Sequence, residues 1–150
     1  MNPLILNPML VCEKSISSYI SSSLNSGSLS VNVFTGIDNE DKSPPVAIVQ
    51  CGSMNEVVFN SRCYEFDVSI IVKEIAYDET VDSYSTIAGN VLSLFTDSVS
   101  GSAAISSFNL QNGIGMRFWQ IRIDGYRQET SGDAWVNNFN FKFIGALVPV

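Results

Sequence analysis

Residues 64–95 of this chain read YEFDVSIIVKEIAYDETVDSYSTIAGNVLSLF, and this stretch decides the fold. Its first part alternates between apolar and polar residues, with Ile71 as the exception. The apolar positions are Tyr64, Phe66, Val68, Ile70 and Val72. Alternation with a period of two is typical of a strand with one face in a core. From Val81 to Phe95 the apolar residues recur every three or four positions, which predicts an amphipathic helix over 80–95.

The rest of the chain adds one helix and several strands. Asn7 and Pro8 have the form of a helix start, and the helix they open ends near residue 25. We expect strands at 29–35, 46–51, 57–59, 64–75, 118–126 and 135–148, with turns at 52–56 and 128–133. Residues 46–75 then form a hairpin or a strand with a projecting arm. The Ser-, Gly- and Asn-rich segment 96–115 reads as a long connection with room for one short strand.

This order of elements predicts a single α+β domain over residues 1–150. We expect a mainly antiparallel or mixed sheet of four to five strands, with two helices packed on one face.

The charge balance argues against nucleic acid as a bound partner, because the formal net charge is −7. Arg117, Arg122 and Arg127 come closest to a basic cluster, but Asp124 lies among them. Only 15% of the residues are charged, which is typical either of a protein that works in an assembly or of drift towards serine. No signal peptide or membrane span is expected, so we place the chain in the cytosol at synthesis.

The sequence offers little for catalysis, since it contains no histidine. A Ser–His–Asp triad, a Cys–His pair and a histidine-based zinc site are therefore excluded. Cys12, Cys51 and Cys63 lack CxxC spacing and are expected to be reduced, although Cys51 and Cys63 could face each other across a hairpin. The acidic group at Asp78, Glu79 and Asp82 fits the start of a helix better than acid–base chemistry. We expect no enzyme, no cofactor and no metal.

Two further groups are interpreted as structural. Trp119 should share a core-facing strand face with Ile121 and Ile123, and Trp135 and the phenylalanines of the last strand should also lie in the core. The acidic residues of the loop 36–45 lack calcium-site spacing and are expected to be solvated.

The layout resembles the tail terminator, or tail completion, proteins of long-tailed bacteriophages. The resemblance covers most of the chain: an N-terminal helix, the entry Pro-Pro-Val-Ala-Ile-Val at 44–49, a hairpin, the long alternating strand, the helix at 80–95 and two closing strands. It implies a virion protein made in the host cytoplasm that forms a hexameric ring. The ring would cap the tail tube, end tube polymerisation and join the tail to the head.

The resemblance also implies partners: copies of the chain itself, the tail tube protein and the head–tail connector. DNA would pass through the ring without specific binding, and no membrane is involved. The candidate contact residues with the neighbouring subunit, the tube or the head are Asp38, Glu40, Asp41, Met54, Glu56, Phe59 and Arg62. Three alternatives stay open: another phage neck or tail subunit, a small ligand-binding or regulatory module, and an enzyme that uses only carboxylates.

Overall fold

A computed structural model describes residues 7–25, 31–36, 45–58, 62–75, 86–131 and 134–149. Three helices and five strands lie in these ranges. In chain order they are α1 (Pro8–Leu24), β1 (Asn32–Thr35), β2 (Val46–Val58), β3 (Cys63–Ile75), α2 (Thr86–Phe95), α3 (Ser98–Gln111), β4 (Met116–Ser131) and β5 (Ala134–Leu147).

The five strands form one mixed sheet in the order β1-β2-β3-β5-β4. β1 runs parallel to β2, and the other neighbours are antiparallel. The helices pack on this sheet, so the predicted α+β class is confirmed. The prediction of two helices was too low, because the described part of the chain contains three.

The core lies between the helices and the inner face of the sheet. The alternation that predicted β3 and β5 is confirmed: Phe66, Val68, Ile70 and Val72 are buried on β3, and Phe139, Phe141 and Phe143 on β5. Phe95 of α2 packs edge-on against Phe141 and Phe143, with ring centroids 5.5 and 5.4 Å apart. Burial of these rings fixes which face of the sheet carries the helices.

The β2–β3 hairpin is present within 46–75, but the turn expected at 52–56 is wrong. β2 instead continues to Val58, with a register shift between Cys51 and Ser53. This bulge absorbs Gly52 without ending the strand. β3 pairs with β5 over its full length, from Cys63 to Ile75. That the hairpin projects as an arm stays a prediction.

The largest correction concerns 96–115, which contains the helix α3 rather than a long connection. β4 is also longer than expected and runs to Ser131, so the turn predicted at 128–133 begins too early. The predicted start of the second helix near residue 80 lies outside the described residues, as do Asp78, Glu79 and Asp82.

Candidate interaction surface at the α3–β4 edge

α3 lies beside the edge strand β4 and hydrogen-bonds to its backbone. Ser106 Oγ accepts from the Phe118 N–H at 3.0 Å and donates to the Phe118 carbonyl at 2.8 Å. Ser98 Oγ accepts from the Ile121 N–H at 3.0 Å. Asn109 Nδ2 donates to the Met116 carbonyl at 2.9 Å. Backbone groups that a sixth strand would satisfy are therefore satisfied by a helix.

The residues that bind β4 form one stripe of α3. Ser98, Ser102, Ser106 and Asn109 recur at helical spacing, and Ser102 and Asn109 are buried. Asp97 opens the helix, since its Oδ1 accepts from the N–H groups of Val99 and Ser100 at 3.0 and 3.1 Å. These hydrogen bonds hold the pKa of the Asp97 carboxyl below its usual value. A Ser/Asn stripe behind an Asp cap is the signal that sequence reasoning missed.

The side of α3 next to this stripe is apolar, uncharged and exposed. We call Val99, Ala103 and Leu110 the α3 outer face; they lie on one side of the helix because they are four and seven residues apart. Val99 is 78% exposed and Leu110 is 83% exposed. No charged residue occurs between Asp97 and Arg117. A helix face in contact with solvent normally carries charges, so this one has the composition of a covered surface.

A groove of about 670 Å³ runs alongside the contact between α3 and β4. Val99 and Leu110 border it on the helix side, and Arg117 and Trp119 border it on the strand side. Trp119 is 48% exposed and Ile123 40%, so the prediction that both lie in the core with Ile121 is wrong; Ile121 alone is buried. A register shift between Phe118 and Gln120 leaves Trp119 without a partner on β5 and turns it outward.

This bulge and a second one further along β4 bring three arginines onto one face. A strict alternation would put Arg117 and Arg122 on opposite faces, because they are five residues apart. Register shifts at 118/120 and 123/125 restore the phase, and Arg117, Arg122 and Arg127 pair with outward-facing residues of β5. In the described ranges none of the three forms an ion pair. Asp124 and Glu129 lie on the same strand, so the face is mixed in charge rather than a basic patch.

Lys142, on the neighbouring strand, is already paired. Its Nζ lies 2.9 Å from Asp67 Oδ1 and 3.3 Å from Glu65 Oε1. The hydrogen bond to Lys142 lowers the pKa of Asp67, and a second hydrogen bond from Ser53 acts in the same direction. This cluster is partly exposed and screened by solvent, so it orders the outer face of the sheet without creating a reactive group.

A buried polar cluster lies at the other end of the inner face. Glu74 Oε1 accepts from the Ile87 N–H at 2.9 Å, at the start of α2. Burial raises the pKa of Glu74, and this hydrogen bond partly opposes the shift. The Tyr126 hydroxyl donates to Asn137 Oδ1 at 2.7 Å. Glu74 Oε2 and Asn137 Nδ2 have no hydrogen-bond partner among the described residues. The carboxylate thus supports a helix N-terminus, and no nucleophile is paired with it in the described chain.

The cysteines are free and buried. Cys51 lies opposite Val68 and Cys63 opposite Val58, so the two do not face each other across the hairpin. That the three thiols are reduced stays a prediction. Burial, followed by a hydrogen bond with Cys51, raises the pKa of Cys12 well above its usual value, which makes its thiol unreactive.

The described ranges contain neither a group of metal ligands nor a membrane-spanning helix. No group of three or more His, Cys, Asp or Glu side chains is placed to hold a metal ion among the described residues. No helix of the described chain is long and apolar enough to cross a membrane.

The candidate contact residues divide into two sets. Met54, Glu56 and Arg62 lie near the closed end of the β2–β3 hairpin; Met54 is half-buried against the core, and the other two are exposed. Arg62 has a positive φ of 59°, which fits the tight reversal before β3. Asp38, Glu40, Asp41 and Phe59 lie outside the described residues. The hairpin end is thus a second candidate surface, distinct from the α3–β4 edge.

A scan against models of protein families gives no match, and a search of curated proteins gives no significant one.

Proposed function

We propose that the chain is a structural subunit that assembles with copies of itself into a ring, and that this ring caps the tail tube of a long-tailed bacteriophage. The observation that carries the proposal is the spread of exposed large apolar side chains over separate elements. Leu10 lies on α1, Val57 on β2, Val99 and Leu110 on α3, and Trp119, Ile123 and Tyr126 on β4. A subunit held by several neighbours needs several such surfaces, whereas a one-site binding module needs one.

The charge distribution supports the same role. The net charge of −7 would line a channel with a repelling wall, through which DNA slides without being gripped. The partners are the tail tube protein on one ring face and the head–tail connector on the other. The place of action is the tail–head junction of the virion, and the expected number of subunits is six.

The hairpin end is the proposed contact with a neighbouring subunit or with the tube. Glu56 and Arg62 are exposed there and carry opposite charges, which can fix the register between subunits. The acidic segment around Asp38, Glu40 and Asp41 is proposed for the same contacts on the basis of its sequence.

The experiment begins with native mass and negative-stain imaging of the full chain, first alone and then with purified tail tubes. A six-membered ring that binds tube ends and stops their growth is the expected result. A chain that neither forms rings alone nor binds tube ends would refute the proposal. A ring that binds elsewhere in the neck would instead support another phage neck or tail subunit.

Variants then test the contact residues. Arg62→Glu alone puts two like charges at the hairpin end, and ring formation should be lost. The control is Lys73→Glu at the opposite end of β3, which changes the net charge by the same amount and should leave ring formation intact. If deletion of residues 36–43 leaves both the ring and tube capping untouched, the acidic segment makes no contact.

A second candidate function is supported by the groove between α3 and β4. Its volume of about 670 Å³ is within the ordinary range of small-ligand sites, and its mostly apolar walls also include Ser106, Asn109 and Arg117. A ligand-binding module would show saturable binding of an apolar probe that changes Trp119 fluorescence. Trp119→Phe would remove that signal. Absence of saturable binding would exclude this second function.

A further inference from the structure

We propose that two copies of the chain pair through the α3 outer face, with the two α3 helices antiparallel across a two-fold axis. The contact does not depend on the ring proposed above, because a two-fold contact uses the same surface on both copies and closes after two. It would join two free copies or two rings, whereas contacts within a ring would come from other surfaces such as the hairpin end.

The composition of the α3 outer face favours packing against a second α3 helix. The α3 outer face is bounded by Val99 and Leu110, the most exposed large apolar residues of the described chain, with the small Ala103 between them. Small central residues allow two helices to approach to about 8 Å. In an antiparallel pair Val99 of one copy faces Leu110 of the other, so large residues meet large and small residues meet small.

The charges at the two ends of α3 are complementary in an antiparallel pair. The only charges that flank the uncharged stretch are Asp97 at its start and Arg117 just beyond its end. Asp97 is exposed at the N-terminus of α3, and Arg117 borders the groove near the C-terminus of the helix. An antiparallel arrangement brings Asp97 of one copy to the end of the helix where the other copy has Arg117. A parallel arrangement would place like charges together.

Neither Arg117 nor the α3 outer face has a role in holding the described part of the chain together. Arg117 makes no ion pair within the described chain. The hydrogen-bonding stripe of α3 is already used by β4, so the outer face has no task in holding the fold. A substitution there should change association and leave stability nearly unchanged.

The mass of the full chain, measured by light scattering over a range of concentrations, gives the first readout. Leu110→Asp should raise the dissociation constant of the pair by at least about 100-fold, because each substitution is present twice in a two-fold interface. The matched control is Asn90→Asp, which adds the same charge to an exposed position of α2 and should leave the constant unchanged. An equal effect of both variants would overturn the proposal.

The charges are tested separately. Arg117→Glu should weaken pairing, because it faces Asp97 of the other copy, and adding Asp97→Asn should recover part of the loss. Asparagine still caps a helix, so the second change keeps α3 in place. Pairing that is indifferent to Arg117→Glu would contradict the antiparallel arrangement.

Cross-linking fixes the symmetry whatever the total mass. Val99→Cys mixed with Leu110→Cys should give a cross-linked heterodimer, while neither variant cross-links alone. In each single variant the two new thiols would be about 16 Å apart along the helices. Cross-linking of Val99→Cys with itself would indicate a parallel pair and would refute the proposal. Failure of tube capping with this cross-link intact would refute the ring function only.

Discussion

Asn109 ties three elements together, and its replacement by alanine should be among the most damaging single changes on α3. The side chain is fully buried. Its Oδ1 accepts from Ser15 Oγ of α1 at 2.8 Å, and its Nδ2 donates to the Met116 carbonyl of β4 at 2.9 Å. Ser15 is also fully buried, so water cannot replace the lost partner.

The expected cost follows from counting the groups that lose a partner. Asn109→Ala leaves the Ser15 hydroxyl and the Met116 carbonyl unsatisfied, and each such group costs about 1–3 kcal/mol. The sum is about 2–6 kcal/mol, a large part of the roughly 5–15 kcal/mol that holds a typical domain. Ser15→Ala removes one of the two hydrogen bonds and should cost about 1–2 kcal/mol.

Urea unfolding followed by tryptophan fluorescence measures these values. With a slope of about 2 kcal/mol/M, Asn109→Ala should lower the midpoint by about 1–3 M. The double variant should cost less than the sum of the singles by about 1 kcal/mol, because the two residues share a hydrogen bond. Asn112→Ala is the control, since that side chain is exposed at the helix end. If Asn109→Ala lies within about 0.5 kcal/mol of the wild type, the reasoning is wrong.

Three further predictions test packing and titration. Gly145→Ala should cost about 1–3 kcal/mol, because a Cβ there would lie 2.6 Å from the Arg117 carbonyl oxygen and 2.7 Å from Phe118 Cδ1. Asp97→Ala should lower the thermal midpoint at neutral pH. Its lowered pKa means that the stabilisation is present above the ordinary value of 3.8 and is lost as the pH falls through the folded value. Glu74→Gln should gain stability relative to the wild type as the pH rises from 4.5 through the raised pKa of Glu74, because the folded wild type retains that proton longer than the unfolded chain.

Each of these has its own control. Gly89→Ala, where a Cβ meets nothing within 4 Å, should be neutral or stabilising because the residue is helical; a loss as large as that of Gly145→Ala would contradict the packing argument. Asp97→Asn should keep the cap and lose the pH dependence, and an unchanged pH dependence would assign it to another carboxyl. A constant difference between Glu74→Gln and the wild type over pH 4.5 and above would show that Glu74 does not titrate abnormally.

The sequence predicts those elements whose apolar side is also their buried side. β3 alternates apart from Ile71 and β5 alternates from Phe139 to Phe143; α1 begins at the expected cap, where Asn7 accepts from the Met9 N–H at 2.9 Å. Hydrophobic periodicity reports burial directly in these cases. The α+β class followed from them.

α3 could not be predicted in this way because its polarity is reversed. Its buried side includes Ser102 and Asn109, while Val99 and Leu110 point to solvent. Serine and glycine also lower its intrinsic helix propensity. The helix is held by side-chain hydrogen bonds to β4, which are tertiary contacts that a periodicity of apolar residues does not reveal.

The exposed face of Trp119 was missed for a related reason. A bulge adds one residue to a strand and reverses the phase of everything that follows, so alternation read from one end fails at the other. Two bulges in β4 therefore account both for the exposure of Trp119 and for the common face of the three arginines. Of the candidate contacts, the hairpin residues Glu56 and Arg62 lie on the surface, and their role in subunit contacts stays a prediction.

The division of the β4 edge indicates how copies of the chain can meet. The hydrogen bonds from α3 cover the edge as far as Ile121, and beyond it Arg122, Arg127 and a bulge at Asp124 occupy the strand. Charges and bulges on an edge strand discourage addition of another strand. Assembly should therefore proceed through side-chain surfaces, and the edge-facing amides of residues 122–131 should exchange with solvent as fast in the assembly as in the free chain. Hydrogen exchange measures this directly, and protection of those amides on assembly would mean that the sheet is extended from one copy to the next.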